Sequence, residues 1–243
     1  MFESPADLGV LSFRNTTGSV NRIALSQARP AVLQEAQPWR SFRSRRGQPH
    51  YSGMYWCATT QSHVPYESRL ELARLLLADF DRKTVAIVSQ PFLLEAMVDR
   101  KTRRHVPDYF LVDSGGLATV VNVKPPHRLS DPAVAEALGW ANSILEGRGW
   151  RTEIWTGADE VLLANVRFLA GCRIADRLER NLLDRVYDQV DDGATITGIE
   201  ARLASECAPA QVRPALLHLL WTGRLIADLS VPLGGTTVVG RAA

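Results

Sequence analysis

The chain has 243 residues, 46% hydrophobic and 22% charged, with a net charge of +2, so it is long enough for one large domain or two and has an ordinary globular composition. No apolar run approaches the roughly 20 residues that span a bilayer, and the first residues carry acids and prolines where a secretory signal would carry an apolar core. Cys57, Cys172 and Cys207 are isolated and odd in number, which argues against a disulfide framework or a structural zinc site and suits a reducing cytoplasm.

The basic excess lies near the N-terminus, where Arg14, Arg22, Arg29, Arg40, Arg43, Arg45 and Arg46 face only Glu3, Asp7 and Glu35. Residues 1–35 show no sustained hydrophobic period, and a basic arm is expected over residues 1–50. Within it, Arg40, Arg43, Arg45 and Arg46 are interleaved with Trp39 and Phe42. That stretch reads either as a phosphate-binding patch or as a solvated loop whose aromatics dock on the core.

Residues 51–56 suit a short strand, and Pro65 and Tyr66 open a helix expected over 67–80. Leu70, Ala73, Leu77 and Phe80, with Leu72, Leu75 and Leu76, give it a broad apolar stripe. Glu67 and Glu71 lie one turn apart on it. Glu67 suits the helix dipole, and Glu71 reads as an exposed partner for Arg69 or Arg74. Residues 85–90 form a strand stopped by Pro91, 92–97 a second, and 99–104 a basic turn carrying Arg103 and Arg104 beside His105. Asp131 caps a helix from Pro132 to about Gly147, and 151–156 return as a strand. The order implies an α/β core over residues 51–160.

From residue 161 the texture is helical. Helices are expected at 161–169 and 173–190, with a break at Gly193. Residues 195–204 and 211–221, separated by a turn at Pro209, read as helix-turn-helix, and 225–230 with 236–239 as a β-wing through Gly234 and Gly235. This is a winged-helix outline. Its second helix offers only Arg213 and His218 to DNA, while its leucines and Trp221 suggest packing.

The densest chemistry lies in a hairpin. Residues 109–113 and 117–124 are rich in β-branched or aromatic residues and flank a turn at Ser114, Gly115 and Gly116. If Asp113 faces Leu117, Asp108 stands opposite Asn122; a loop one residue different would bring Val121 or Val123 there instead. Asn122 and Lys124 share a face in any register, because side chains alternate along a strand. An acid, an amide oxygen and an ammonium thus meet at one sheet end.

A Pro-Asp pair, a strand, a turn and then an acid or amide two residues before a lysine resembles the skeleton of the PD-(D/E)XK nucleases. The segments Tyr66–Glu71, Gln90–Phe92, His105–Asp108, Val123–Pro125 and Asn165–Leu169, in that order, resemble the TnsA-like endonuclease subunits of heteromeric transposases over roughly residues 40–170. The resemblance implies a restriction-endonuclease-like α/β core followed by a winged-helix domain. It implies a Mg²⁺-dependent endonuclease, with Mn²⁺ able to substitute, that cuts one strand of double-stranded DNA at transposon ends. A DDE transposase subunit and an AAA+ ATPase regulator would be its partners. Carried onto matching positions, Glu67 and Asp108 would be metal ligands and Lys124 the catalytic lysine. Asn122 stands where many nucleases of this superfamily carry an acid and some TnsA-type proteins a glutamine; it would ligate the metal without adding charge. Phosphate contacts would fall to Arg40, Arg43, Arg45, Arg46, Arg103, Arg104 and His105. Two other readings compete: a scaffold that kept the nuclease fold without its activity, and a stand-alone restriction or repair nuclease.

Overall fold

The computed structural model describes residues 9–40, 51–174 and 178–242. The chain divides into two units, Met1–Gly157 and Ala158–Ala243. It is a mixed α/β protein with several sheets, and among the described residues no helix is long and apolar enough to cross a membrane.

Unit 1 is built on two four-stranded sheets. The elements run β1 (Gly9–Arg14), β2 (Val20–Ala24), α1 (Pro30–Leu33), β3 (Gly53–Cys57), β4 (Ser62–Tyr66), α2 (Arg69–Phe80), β5 (Thr84–Ser89), β6 (Leu93–Val98), β7 (Lys101–His105), β8 (Tyr109–Asp113), β9 (Ala118–Val123), α3 (Pro126–Leu129), α4 (Pro132–Gly147) and β10 (Arg151–Trp155). One sheet has the order β2-β1-β6-β7 and is antiparallel throughout. The other has the order β10-β9-β8-β5, with only β9 and β10 parallel. Strands β3 and β4 form a separate hairpin.

Both sheets feed one core. Leu11 and Phe13 of β1 and Leu94 and Ala96 of β6 pack with Phe110 and Val112 of β8, Ala118 and Val120 of β9, and Ala141, Ile144 and Leu145 of α4. The opposite face of the second sheet carries Tyr109, Leu111, Val121 and Val123, which are also buried. Tyr109 Oη donates to the Glu71 carbonyl of α2 at 3.3 Å, so α2 covers that face. Asp79, also on α2, is 6% exposed and binds the β3–β4 hairpin. Its carboxylate accepts from Tyr55 Oη (2.7 Å), Cys57 Sγ (3.1 Å), Ala58 N (3.0 Å), and Thr59 N and Oγ1 (2.7 Å each).

Three differences from the sequence reading have clear causes. Residues 9–40 are not an arm: β1 lies between β2 and β6, and Leu11, Leu25 and Leu33 are fully buried. The helix begins at Arg69, because the chain is extended through Tyr66 in β4 and Ser68 caps α2 by accepting from Glu71 N. The expected basic turn at 99–104 is instead strand β7, joined to β6 by a two-residue turn whose Asp99 and Arg100 take left-handed φ values of 51° and 62°. The β8–β9 hairpin keeps the inferred register, with Tyr109 facing Val121 and Asp113 N donating to Leu117 O. Asp113 Oδ1 closes its loop by accepting from Gly115 N and Leu117 N, and Gly116 supplies a φ of 80° that disfavours a side chain.

Unit 2 contains α5 (Glu160–Leu169), α6 (Arg180–Asp188), α7 (Ile196–Leu203), α8 (Pro209–Trp221), β11 (Leu225–Ile226) and β12 (Gly240–Arg241). Helix α8 is its centre: Val212, Ala215, Leu216, Leu219 and Leu220 are all buried. Residues 236–239 do not pair with 225–230 as expected. Leu225 and Ile226 pair with Arg241 and Gly240, and Val238 bridges to Thr195. Asn165 pins the intervening loop, donating to Leu229 O (2.9 Å) and Val231 O (2.7 Å) and accepting from Leu233 N (3.0 Å).

A chain begun at residue 51 tests the place of the N-terminal sheet. It would lose Leu11, Phe13, Leu25 and Leu33, each 5% exposed or less. At about 2 kcal/mol per buried side chain this loss is comparable to a whole domain's stability. The truncated protein should show no cooperative thermal transition for unit 1 by circular dichroism; a transition at the full-length temperature would return these residues to the status of an arm.

Candidate functional site

The ends of β5, β8 and β9 come together in one row. Gln90 N donates to Asp108 O at 2.9 Å and Asp108 N to Val121 O at 3.0 Å, so each ladder extends one residue past its strand. Gln90, Asp108 and Asn122 therefore stand side by side. Asp108 Oδ2 accepts from Val123 N at 2.6 Å and from Lys124 Nζ at 3.1 Å. Lys124 Nζ also donates to Val123 O at 3.0 Å. The side chains of Asp108 and Lys124 are 18% and 30% exposed, which leaves the pair open to solvent at the sheet end.

Two more acids stand beside it. Ser68 and Glu71 form a capping box at the start of α2: Ser68 Oγ accepts from Glu71 N, while Glu71 accepts from Glu67 N at 2.8 Å and from Ser68 Oγ at 3.0 Å. Glu71 is thus neither exposed nor paired with Arg69 or Arg74; Arg74 instead forms a two-pronged ion pair with Glu153. Burial pushes the Glu71 carboxyl up to about 7, with the charges of Asp108 and Glu67 adding to the effect and its two hydrogen bonds opposing it. Burial also raises the Tyr109 hydroxyl, and Glu71, Asp108 and Glu67 push it the same way. Three carboxylates therefore act on one phenol, with Arg74 opposing them, while Lys124 is bound to Asp108 alone among the three.

Asn122 stands beside Asp108 in the row, but its side chain is fully buried. Ala118 and Val120 point into the core, and Asn122 continues their row with 0% exposure. Its Oδ1 is 2.7 Å from His105 Nε2, and its Nδ2 is 3.4 Å from Asn142 Oδ1. An amide oxygen only accepts, so Nε2 carries the proton in that bond. Burial holds the His105 imidazole below its ordinary value; Lys124 and Arg40 act with it, and Asn122 and Asp108 against it. The neutral ring then keeps a lone pair on Nδ1, and Trp140 stands edge-on at 6.2 Å. In this arrangement Asn122 positions His105 and its oxygen is already engaged.

Two of the expected phosphate contacts are occupied by carboxylates. Arg103 pairs with Glu136 and lies 3.9 Å from Asp99, and Arg104 pairs with Glu95 at 2.8 Å. Arg40 is exposed and close enough for its charge to act on His105. Arg43, Arg45 and Arg46 lie outside the described residues. In unit 2, Arg213 is held by Glu200 at 2.5 and 2.7 Å, and the buried His218 is bonded through Nδ1 to Cys172 O at 2.7 Å.

The donor set suits a hard dication. Glu67, Glu71 and Asp108 offer oxygen only, and their mutual repulsion is what a divalent cation would relieve. No three His, Cys, Asp or Glu side chains among the described residues form a ready-made cage. Magnesium is commonly held by one or two carboxylates and water, so that arrangement is the relevant one. No protein-family model matches the chain, and no curated protein matches it.

Two variants test this electrostatic picture. The Glu71 carboxyl is raised in the folded state, so its proton favours folding fully below pH 4.5 and that contribution is lost as pH rises through about 7. Glu71→Gln keeps a capping residue and removes the charge. It should match the wild type in urea unfolding at pH 5 and exceed it by about 1–2 kcal/mol at pH 8; equal stability at both would mean that Glu71 carries no such penalty. Asn122→Asp would place a carboxylate against His105 Nε2, and the histidine's midpoint, followed by NMR, should rise above that of the wild type.

Proposed function

We propose that unit 1 is a divalent-metal-dependent endodeoxyribonuclease domain of the PD-(D/E)XK kind, acting with DNA-joining partners as the strand-cutting subunit of a transposase. The observation that carries this reading is the Asp108–Lys124 pair at the aligned ends of β8 and β9, beside the Glu67 and Glu71 carboxylates. Hydrolysis of a phosphodiester needs hard-cation ligands, an oriented water and positive charge for the phosphate, and these residues supply the protein's share.

Asp108 would hold the cation, with Glu67 or Glu71 and water completing its shell. A bound dication would lower the pKa of water and neutralise charge building on the phosphate. Lys124, displaced from Asp108 by that stronger charge, is placed to bind the non-bridging oxygens of the phosphate. Asn122 orients His105 at the edge of the site. Arg40, with the arginines that follow it in sequence, would contact the DNA backbone.

The order of unit 2 favours a winged-helix reading: α6, the Thr195 bridge, α7, α8, then β11 and β12. Helix α8 is buried and its Arg213 is paired, so this unit suits protein docking or non-specific DNA contact better than base reading. Site choice would then belong to the partners: the DDE transposase and the AAA+ regulator. That assignment of partners rests on the family resemblance.

Nicking of supercoiled plasmid in Mg²⁺ or Mn²⁺ tests the reading, with a DDE transposase partner present or absent. Wild-type protein should nick, while Asp108→Ala and Lys124→Ala, both folded, should lose at least about a hundredfold in rate. If the folded wild-type chain nicks nothing under every condition, a scaffold that kept the fold becomes the better account.

A further inference from the structure

Gln90 combines two local costs, one in its backbone and one in its side chain. It follows β5 with a φ of 45°, a conformation that side chains disfavour, and it precedes Pro91, which pushes the preceding residue towards extended backbone. Its backbone is fixed on both sides, with N bonded to Asp108 O and O accepting from Trp39 N at 2.8 Å. The bend carries the chain from one sheet to the other and drops Phe92 into the core. Glycine would make that bend without strain.

The side chain adds a second cost. Gln90 is 3% exposed, and its Oε1 is a buried oxygen with no hydrogen-bond donor among the described residues. Nearly all buried polar atoms in folded proteins are partnered, so an orphan in a strained residue marks a place where a ligand supplies the missing group. Gln90 is one strand away from Asp108, the neighbour opposite Asn122 in the same row. Along this row Asp108 N is bonded to Val121 O and Gln90 N to Asp108 O, while Lys124 Nζ gives two of its three N–H groups to Asp108 Oδ2 and Val123 O. A water bound at these strand ends would supply the missing donor.

We propose that Gln90 is a catalytic residue whose Oε1 accepts a hydrogen bond from the water that attacks the phosphodiester, an inference that rests on the nuclease reading. In the step, the water oxygen bonds to phosphorus and the bond from phosphorus to the leaving sugar oxygen breaks. One water proton passes to solvent, and the leaving oxygen takes a proton in exchange. An amide cannot accept that proton. Gln90 instead fixes the direction of attack, while burial and the rigid bend hold its oxygen in place.

The full-length chain, Gln90→Met and Gln90→Gly separate this role from a structural one. Methionine keeps the length and removes the orphan oxygen, and glycine removes the backbone strain, so a fold that rejects one should accept the other. Both variants should melt at or a few degrees above the wild type. Plasmid nicking should fall about a hundredfold in kcat, with KM for DNA and the half-saturating Mn²⁺ concentration unchanged. Wild-type kcat in both variants would overturn the inference and leave the nuclease reading standing. A loss that tracks a lower melting temperature or a higher KM would also overturn it, in favour of a structural role. Absence of any nicking by the wild type would remove the nuclease reading and this inference with it.

Discussion

The Asp108 carboxylate is the constraint on which the sheet end depends. One of its oxygens accepts from the Val123 backbone and the Lys124 ammonium, so it stitches the start of β8 to the end of β9 and fixes where both strands stop. The same residue's carbonyl holds Gln90 at the end of β5. A single acid thus aligns three strand ends, and each neighbour inherits its position from that alignment. Removing Lys124 would leave the half-buried Asp108 carboxylate without its ammonium, beside the charges of Glu71 and Glu67.

That alignment is possible because both faces of the sheet are covered. Phe110, Val112, Ala118 and Val120 bury one face against α4 and the N-terminal sheet, while Tyr109 and its neighbours bury the other against α2. Helix α2 is in turn held by Asp79, which accepts five hydrogen bonds from the β3–β4 hairpin and the turn after β3. The strand ends are left as the open part of a rigid body. A site that must hold charged groups within a fraction of an ångström belongs on such elements rather than on loops.

The parts that local chemistry determines were legible in the sequence. The β8–β9 register follows from Asp113, Gly116 and alternation, and α4 follows from the Asp131–Pro132 cap. The Ser68–Glu71 capping box was also visible, at its usual spacing just before an apolar run, and would have moved both the helix start and Glu71. Other features depend on distant partners. Strand β1 finds β6 about eighty residues later, and short strands with mixed burial give no period to read. The left-handed turn at Asp99 and Arg100 lacks the glycine that announces such turns. Asn122 was placed on the correct face, but which face is buried is a tertiary fact, and burial turned a candidate ligand into the partner of His105.

Charge bookkeeping narrows how a phosphate backbone could approach. The arginines of β7 are neutralised by Glu95 and Glu136, and Arg22 shares Glu95 with Arg104. Arg74 is spent on Glu153. Of the cations whose charge reaches His105 at the edge of the site, Lys124 is tied to Asp108 and Arg40 is exposed. The segment that begins at Trp39 is anchored there, since Trp39 N bonds Gln90 and Arg14 reaches Trp39 O at 3.2 Å beneath a cation–π contact. Arg40, the next residue, is thereby held close to His105. Of the two sequence readings of this stretch, the docked aromatic is seen at Trp39, whereas Arg43, Arg45 and Arg46 lie outside the described residues.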